Sequence, residues 1–242
     1  MRIPRIYTAI SLSENSLIEL DTDSSHYVSK VLRLREGDQL SVFNPDDGEY
    51  AAQINTISRK TVQLQLSAAI ACLADPRLCI HIGLGMSRGE RMDYAIQKAT
   101  ELGVSSISPL FTERCEVKLG EERADKRLAH WSGIARSASE QTGRCTLPVI
   151  ERPVKISDWL SQAHGAASFV LDHRGHRGFP VSGSTPQSVT LLIGPEGGLT
   201  DQEINLAARS GFQQVRIGPR VLRTETAPVV ALSLVQNLWG DF

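Results

Sequence analysis

The spacing of apolar residues changes about a third of the way along this chain of 242 residues. Before residue 72, short apolar stretches follow the period of strands, and in the clearest case Val62, Leu64 and Leu66 alternate with Gln63 and Gln65. We predict strands over residues 5–10, 17–20, 39–43, 50–58 and 61–66, with a turn at 45–48 and a helical stretch at 26–33. Many short strands with one small helix indicate a compact, barrel-like domain.

From about residue 75, strand-like and helical segments alternate, which indicates a largely parallel sheet with helices on its faces. Ser87 and Glu90 have the spacing of a capping box, before a helix that ends at Gly103. Thr200 and Glu203 repeat that spacing before a helix that ends by residue 211. The predicted strands are residues 78–84, 106–111, 168–172, 189–194 and 214–218.

Two longer helices are predicted over residues 123–142 and 227–239. The first has an apolar stripe on one side. The second is apolar nearly all round, so we expect it to be deeply buried or to lie in a subunit interface.

Composition narrows the class of protein. The net charge of −1 differs from that of a protein that coats nucleic acid through its overall charge, so any such contact must come from local clusters. The longest apolar runs are too short to cross a membrane, and the first residues lack the apolar core of a signal peptide. Cys72, Cys79, Cys115 and Cys145 show no metal-ligand spacing, so we expect four reduced thiols in a cytoplasmic protein and no metal site.

Two segments near the C-terminus share one pattern. In residues 191–198 and 217–227, an apolar strand is interrupted at Ile-Gly-Pro and a polar turn then leads into a helix. The carboxyl edge of the sheet is where open α/β folds bind ligands, so the two breaks predict one site built from two neighbouring loops. The alternatives are a glycine-rich turn without a ligand and a solvated loop in which Thr226 caps a helix.

Three further features have competing interpretations. Gly83-Leu-Gly-Met-Ser-Arg-Gly89 follows a strand as a dinucleotide loop would, but its glycine spacing differs from the usual fingerprint and a simple turn explains it. His173-Arg-Gly-His-Arg177 is a weak metal signal and better fits a basic loop. Basic residues near the N-terminus, with Tyr7, His26 and Tyr27, are either scattered charge or a patch for RNA phosphates and stacked bases.

Eight motifs together resemble the RsmE family of bacterial 16S ribosomal RNA (uracil-N3)-methyltransferases, in the SPOUT superfamily. The resemblance covers essentially the whole chain, and the last two motifs are the most specific. The motifs are Met1-Arg-Ile-Pro-Arg5, His26-x4-Val-Leu-Arg33, Ser87-Arg-Gly-Glu-Arg-Met-Asp93, Gln97-Lys-x2-Glu-Leu-Gly103, Thr112-Glu-Arg-Cys115, Glu140-Gln-x-Gly-Arg144, Leu192-Ile-Gly-Pro-Glu-Gly-Gly198 and Leu222-Arg-Thr-Glu-Thr-Ala227.

The resemblance implies an α/β fold in two domains. Residues 1–72 would form a PUA-like β-barrel that binds RNA. Residues 73–242 would form a SPOUT methyltransferase domain, a mostly parallel sheet with helices on both faces and a deep trefoil knot. It further implies S-adenosylmethionine as the cofactor, 16S ribosomal RNA within the small ribosomal subunit as the substrate, and a homodimer whose active site draws on both subunits.

The resemblance also assigns site residues. The cofactor would contact Leu171, Ile193, Gly194, Gly197, Gly198, Ile217, Gly218, Leu222, Thr224 and Thr226. RNA would contact Arg2, Arg5, His26, Lys30 and Arg33.

For the chemistry, N3 of uracil must lose its proton before it can attack the methyl group, and the resulting charge needs a cation. We expect Arg223 to supply that cation and either Glu196 or Glu225 to act as the base. Two rival functions remain open at this point: a non-catalytic RNA-binding or assembly protein with a vestigial site, and a Rossmann-type enzyme that uses the Gly83 cluster.

Overall fold

Residues 3–73, 77–116, 121–162, 165, 167–181 and 184–242 are described by the computed structural model, without the side chains of residues 121 and 122. Contacts divide the chain into two units. Unit 1 comprises Met1–Asp75 and Ser139–Leu147, and unit 2 comprises Pro76–Ala138 and Pro148–Phe242. The first division falls close to the predicted boundary at residue 72, but the return of residues 139–147 to unit 1 has no signal in the hydrophobic pattern.

Unit 1 is built on a sheet of five strands. They are β1 (Arg5–Tyr7), β2 (Leu17–Glu19), β3 (Gln39–Asn44), β4 (Gly48–Ile57) and β5 (Val62–Ile70). The sheet order is β1-β3-β4-β5-β2, with β1 parallel to β3 and the other pairs antiparallel. Val42, Ile54 and Leu64 are fully buried in one apolar cluster on this sheet, and Gly48 makes the predicted turn possible with φ of +83°.

The helical stretch of unit 1 begins earlier than predicted. Helix α1 (Thr22–His26) starts after Asp21, whose side chain accepts a hydrogen bond from the backbone N–H of Ser24. It continues as one π-helical turn, Tyr27–Val31, and Arg33 then has a left-handed backbone with φ of +57°. The N-cap at Asp21 moves the helix start because it satisfies a free amide of the first turn.

The expectation of four reduced thiols is wrong. Cys72 and Cys145 form a disulfide across a sequence separation of 73 residues. Both cysteines belong to unit 1, because the segment Ser139–Leu147, which begins in the last turn of the long helix α3 (Glu121–Thr142), returns to that unit. Cys79 and Cys115 are free thiols.

Unit 2 contains the predicted parallel sheet. Its strands are β6 (Cys79–Gly85), β7 (Ser106–Phe111), β8 (Val149–Ile150), β9 (Val154–Lys155), β10 (Ala167–Leu171), β11 (Ser188–Ile193) and β12 (Gln213–Val215). The order is β12-β10-β11-β6-β7-β8, and β9 also pairs with β7. Its other helices are α2 (Glu90–Glu101), α4 (Ile156–Leu160), α5 (Asp201–Arg209) and α6 (Thr226–Trp239).

Helices cover both faces of this sheet, as predicted. Alternate strand residues such as Ile82 and Leu191 join one apolar cluster with residues of α2, α3 and α6. The strand residues that alternate with them, such as Val170 and Leu192, join a second cluster with residues of α4 and α5. Because successive side chains of a strand point to opposite faces, the two clusters lie on opposite sides of the sheet.

Of the two capping boxes predicted in unit 2, one is confirmed and the other is wrong. Thr200 and Glu203 form the predicted capping box at the start of α5. Ser87 does not cap α2, which begins after Gly89 without a side-chain cap. The Ser87 hydroxyl lies 3.3 Å from the hydroxyl of Thr224 instead.

Helix α6 is buried on one side only. Ala231, Leu232 and Val235 are fully buried, whereas Leu234 is 38% exposed. None of the described helices is long and apolar enough to cross a membrane.

Candidate functional site

A cleft of about 560 Å³ opens where β10, β11 and β12 end. These three strands are neighbours and parallel, so the loops that follow them meet at one edge of the sheet. The volume of the cleft is in the range of small-molecule binding sites. Nine of the ten expected cofactor residues line it: Leu171, Ile193, Gly194, Gly197, Gly198, Ile217, Gly218, Leu222 and Thr224. The tenth, Thr226, lies outside this lining as the exposed first residue of α6.

The glycines of the loop 194–198 are required mainly by the protein itself. Gly198 has φ of +67°, which disfavours other residues. A Cβ on Gly197 would lie 2.9 Å from the Cβ of Arg114, and one on Gly194 would lie 3.0 Å from the backbone nitrogen of Leu199. Arg114 is therefore the neighbour that excludes a side chain at position 197.

Thr224 joins the loop after β12 to the loop after β11. It is 8% exposed, and its hydroxyl donates to the carbonyl of Gly194 at 3.0 Å. Its hydroxyl also lies 3.3 Å from that of Ser87, which follows β6. Thr224 therefore holds three loops together beneath the cleft.

The loop after β10 is ordered around a buried carboxylate. Asp172 is 7% exposed and accepts bonds from the backbone and guanidinium of Arg174 and from Gln214. Burial raises the pKa of Asp172, but the hydrogen bonds and the charge of Arg174 outweigh burial and hold the pKa below its ordinary value. Asp172 is therefore an ionised structural group at neutral pH.

Glu196 is engaged by its neighbours. Its Oε1 accepts from the backbone N–H of Arg88 and from Nη1 of Arg91, both at 3.1 Å. Burial raises the pKa of Glu196, but backbone and side-chain hydrogen bonds, including that of Arg91, lower it further, so the net pKa lies below the ordinary value. A carboxylate so stabilised in its charged form is a weak base.

Glu225 has the opposite character. Its side chain is 18% exposed, and its Oε2 is buried without a hydrogen-bond partner among the described residues. Arg223 is 82% exposed, and its Nη1 lies 3.9 Å from Oε1 of Glu225. Both residues line the cleft, so the loop after β12 presents a carboxylate with unused bonding capacity beside a solvated cation.

Of the five residues expected to bind RNA, three share one exposed segment of unit 1. His26, Lys30 and Arg33 are exposed on and just after α1 and its π-helical turn. Arg2 lies outside the described residues.

The structure argues against Arg5 as an RNA contact. Its side chain is 10% exposed and pairs with Glu49 at 2.8 Å. Its guanidinium also donates to the carbonyls of Ser139, Glu140 and Arg144. The return of residues 139–147 to unit 1 supplies these acceptors, which no local sequence signal could reveal.

The Gly83 cluster serves packing. A Cβ on Gly83 would lie 2.6 Å from the Trp159 ring, and one on Gly85 would lie 2.5 Å from Pro195. These contacts remove the basis for a dinucleotide loop at this turn.

Among the described residues, one group has potential metal-ligand atoms close together, namely Glu49, Cys72 and Cys145. The two sulfurs are bonded to each other in the disulfide, so they are not available to an ion.

Sequence reasoning missed four arginines that line the cleft: Arg91, Arg114, Arg174 and Arg220. Arg91 and Arg114 stand in two of the quoted motifs, and Arg220 lies in the segment 217–227 that was predicted to form part of the site. Arg174 lies in the segment 173–177, which was interpreted only as a basic loop.

Comparisons with known proteins agree with this geometry. Residues 74–236 match the family described as an RNA methyltransferase domain, and residues 20–67 match an RNA methyltransferase PUA domain. Ribosomal RNA small subunit methyltransferase E of Buchnera aphidicola from Acyrthosiphon pisum is 34% identical over 248 residues, covering 100% of this chain and 96% of the relative. The Bacillus subtilis protein of that name is 28% identical, covering 94% of this chain and 93% of the relative.

Two solved structures extend the likeness to the fold. A putative methyltransferase from Legionella pneumophila, in complex with S-adenosylmethionine, has a TM-score of 0.95 and 37% identity, with 100% of both chains covered. A ribosomal RNA small subunit methyltransferase E from Neisseria gonorrhoeae, bound to S-adenosylmethionine, has a TM-score of 0.90 and 32% identity over 100% of both chains.

Proposed function

Because this chain belongs to the ribosomal RNA small subunit methyltransferase E family, we propose that it transfers a methyl group from S-adenosylmethionine to N3 of a uridine in 16S ribosomal RNA. The observation that carries the proposal is the convergence of three loops, after β10, β11 and β12, on one cleft. The trefoil knot of the SPOUT domain stays a prediction from the family resemblance.

The cleft suits this cofactor. Leu171, Ile193, Ile217 and Leu222 offer apolar walls for an adenine ring, and the loop 194–198 offers backbone groups for its polar edge. When bound, S-adenosylmethionine supplies an electrophilic methyl group on a sulfonium. The protein's residues must then place the uracil and remove its proton.

Glu225 is the better candidate for the base. Glu225 lines the cleft and its Oε2 has no hydrogen-bond partner among the described residues, whereas the carboxylate of Glu196 is held by Arg88 and Arg91. Glu225 would accept the N3 proton, and Arg223 would stabilise the negative charge that spreads over O2 and O4 of the uracil. Since N3 lies on the Watson–Crick edge, the target uridine must be unpaired or flipped out.

Unit 1 would hold the RNA around the target. His26, Lys30 and Arg33 present two fixed positive charges and an imidazole from one short segment. Such contacts position RNA without reading its sequence.

The homodimer implied by the family belongs to the same proposal. Helix α6 leaves Leu234 38% exposed on the side opposite its buried residues, which suits contact with a second copy. Leu234→Glu should convert a dimer to a monomer in sedimentation measurements. An unchanged sedimentation coefficient would remove this surface from the proposed interface.

Action on assembled ribosomal subunits would place the protein in the cytoplasm.

The decisive test is transfer of labelled methyl from S-adenosylmethionine to small ribosomal subunits that lack the modification, followed by nucleoside analysis. The expected product is N3-methyluridine, and Arg223→Ala should form it much more slowly than the wild type while still binding the cofactor by calorimetry. Label on a ribose oxygen or on another base would contradict the proposed target atom.

A further inference from the structure

Two of the cleft loops carry arginines that the proposed chemistry does not use. Arg177 lies in the loop after β10, and Arg216 and Arg220 lie in the loop after β12. The two strands pair in parallel, with Leu171 opposite Val215. Because the backbone N–H of Arg216 donates to the carbonyl of Arg177 at 2.7 Å, the two loops are joined where these arginines stand. We call Arg177, Arg216 and Arg220 the arginine edge.

Hydrogen bonds fix the loops that bear the arginine edge. The backbone N–H of Asp172 donates to the carbonyl of Val215 at 3.0 Å, and Nε of Arg216 donates to the carbonyl of Gly218 at 2.8 Å. Gly175 packs closely at this point, since a Cβ there would lie 3.2 Å from the carbonyl oxygen of Asp172 in the same loop and 3.4 Å from Cγ of Gln214 on β12. Loops ordered in advance lose less entropy when a partner binds.

The charges of the arginine edge are uncompensated. Arg174, in the first of these loops, is neutralised by Asp172 and Asp201. Within the described part of the chain, no ion pair involves Arg177, Arg216 or Arg220. The net charge of the whole chain is −1, so this positive charge is local to the arginine edge and does not reflect an overall excess. The three arginines attract a partner with repeated negative charge.

The arginine edge also adjoins the cleft. Arg177 and Arg220 are exposed, and Arg220 lines the cleft together with Arg223. A polyanion bound here would therefore run past the position at which the target base must enter. A guanidinium matches phosphate in charge and planar donor geometry.

We propose that the arginine edge binds backbone phosphates of the ribosomal RNA that flank the target uridine. This inference rests on the proposed function and adds a second RNA surface, on unit 2, to the one on unit 1. Each surface would contact its own stretch of the RNA, and the arginine edge would hold the nucleotides next to the reacting base.

The test measures affinity for 16S ribosomal RNA transcribed in vitro, by filter binding at several KCl concentrations. The double variant Arg177→Ala, Arg220→Ala should bind roughly tenfold more weakly, and the slope of log K against log salt should fall by about 1.4–1.8, for two lost phosphate contacts. Arg216 is left intact because its Nε holds Gly218. Arg209→Ala, an exposed arginine on α5, is the matched control and should behave as wild type.

Three readouts separate this surface from a merely structural role. The double variant should raise KM for RNA by a larger factor than it changes kcat or the affinity for S-adenosylmethionine, and Arg177→Lys, Arg220→Lys should restore the salt slope. A double variant with the wild-type salt slope and RNA affinity would overturn the proposal that the arginine edge binds RNA, but not the proposed methyltransferase function. A wild-type protein that forms no methylated uridine would overturn the proposed function, even if the salt slope behaved as expected.

Discussion

The loops after β11 and β12 begin with one sequence pattern and end with opposite chemistry. Each follows a strand through Ile-Gly-Pro into a helix. In the first loop, Glu196 is bound by Arg88 and Arg91, and Arg114 donates to the carbonyl of Gly197 at 2.9 Å. In the second, Glu225 keeps a buried oxygen without a described partner and Arg223 is 82% exposed. The shared pattern places both loops at one cleft, and the unused bonding capacity of the second loop is the reason we propose that it acts on the substrate.

Glu225→Gln tests the proposed difference between the two loops most directly, because it removes the proposed base and keeps the side-chain shape. We expect kcat to fall by about 10²–10⁴-fold, since a positioned base contributes that much. Affinity for S-adenosylmethionine, measured by calorimetry, should stay at the wild-type value. Near-wild-type turnover would return the base to Glu196 or to water.

Arg223→Ala should give the next largest effect. Loss of the cation beside the developing charge is expected to lower kcat by about 10²–10³-fold, by analogy with removal of a charge-stabilising donor. Arg223→Lys keeps the charge and should recover part of the rate. If cofactor affinity fell in parallel with kcat, Arg223 would belong to cofactor binding instead.

A change in the first loop should affect binding more than turnover. Gly197→Ala places a Cβ 2.9 Å from that of Arg114, so the loop must shift. Overpacking costs about 1–3 kcal/mol, which weakens S-adenosylmethionine binding roughly 5- to 150-fold if the loop holds the cofactor. Gly133→Ala is the control, because an added Cβ in that part of α3 meets no described atom within 4 Å. Unchanged affinity in Gly197→Ala would show that the loop tip is free to move.

Glu196→Gln should have the smallest effect near neutral pH. The amide oxygen can still accept from Arg88 and Arg91, and an exposed ion pair contributes only ~0–1 kcal/mol, so kcat should stay within about fivefold of wild type.

The pH profile gives a second measure of Glu196. Its pKa in the folded protein lies below the ordinary value of 4.5, so its stabilisation is present above 4.5 and is lost as the pH falls through the lower value. Thermal unfolding of the wild type should therefore become more acid-sensitive than that of Glu196→Gln in this range. Identical acid profiles would mean that Glu196 does not anchor the loop.

Local patterns were sufficient where neighbours in sequence decide the structure. Strand β7 and the capping box of Thr200 and Glu203 depend on residues within a few positions of each other, and both were predicted. Ser87 failed as a cap because it lies against the hydroxyl of Thr224, which is 137 residues away. Arg5 was grouped with the basic residues near the N-terminus that would contact RNA. No local pattern could show that it is engaged elsewhere, because its partners, Glu49 and residues 139–144, are distant in sequence. The choice between Glu196 and Glu225 needed hydrogen-bond partners that only the folded chain shows.

The bond between Cys72 and Cys145 makes a covalent ring of the chain between them. Strands β6 and β7 and helix α2 lie inside that ring, while β10, β11 and β12 lie outside it. One peptide bond cut by a protease between residues 73 and 144 therefore leaves the two fragments linked. On a denaturing gel they would migrate as one band without a thiol and as two bands with it.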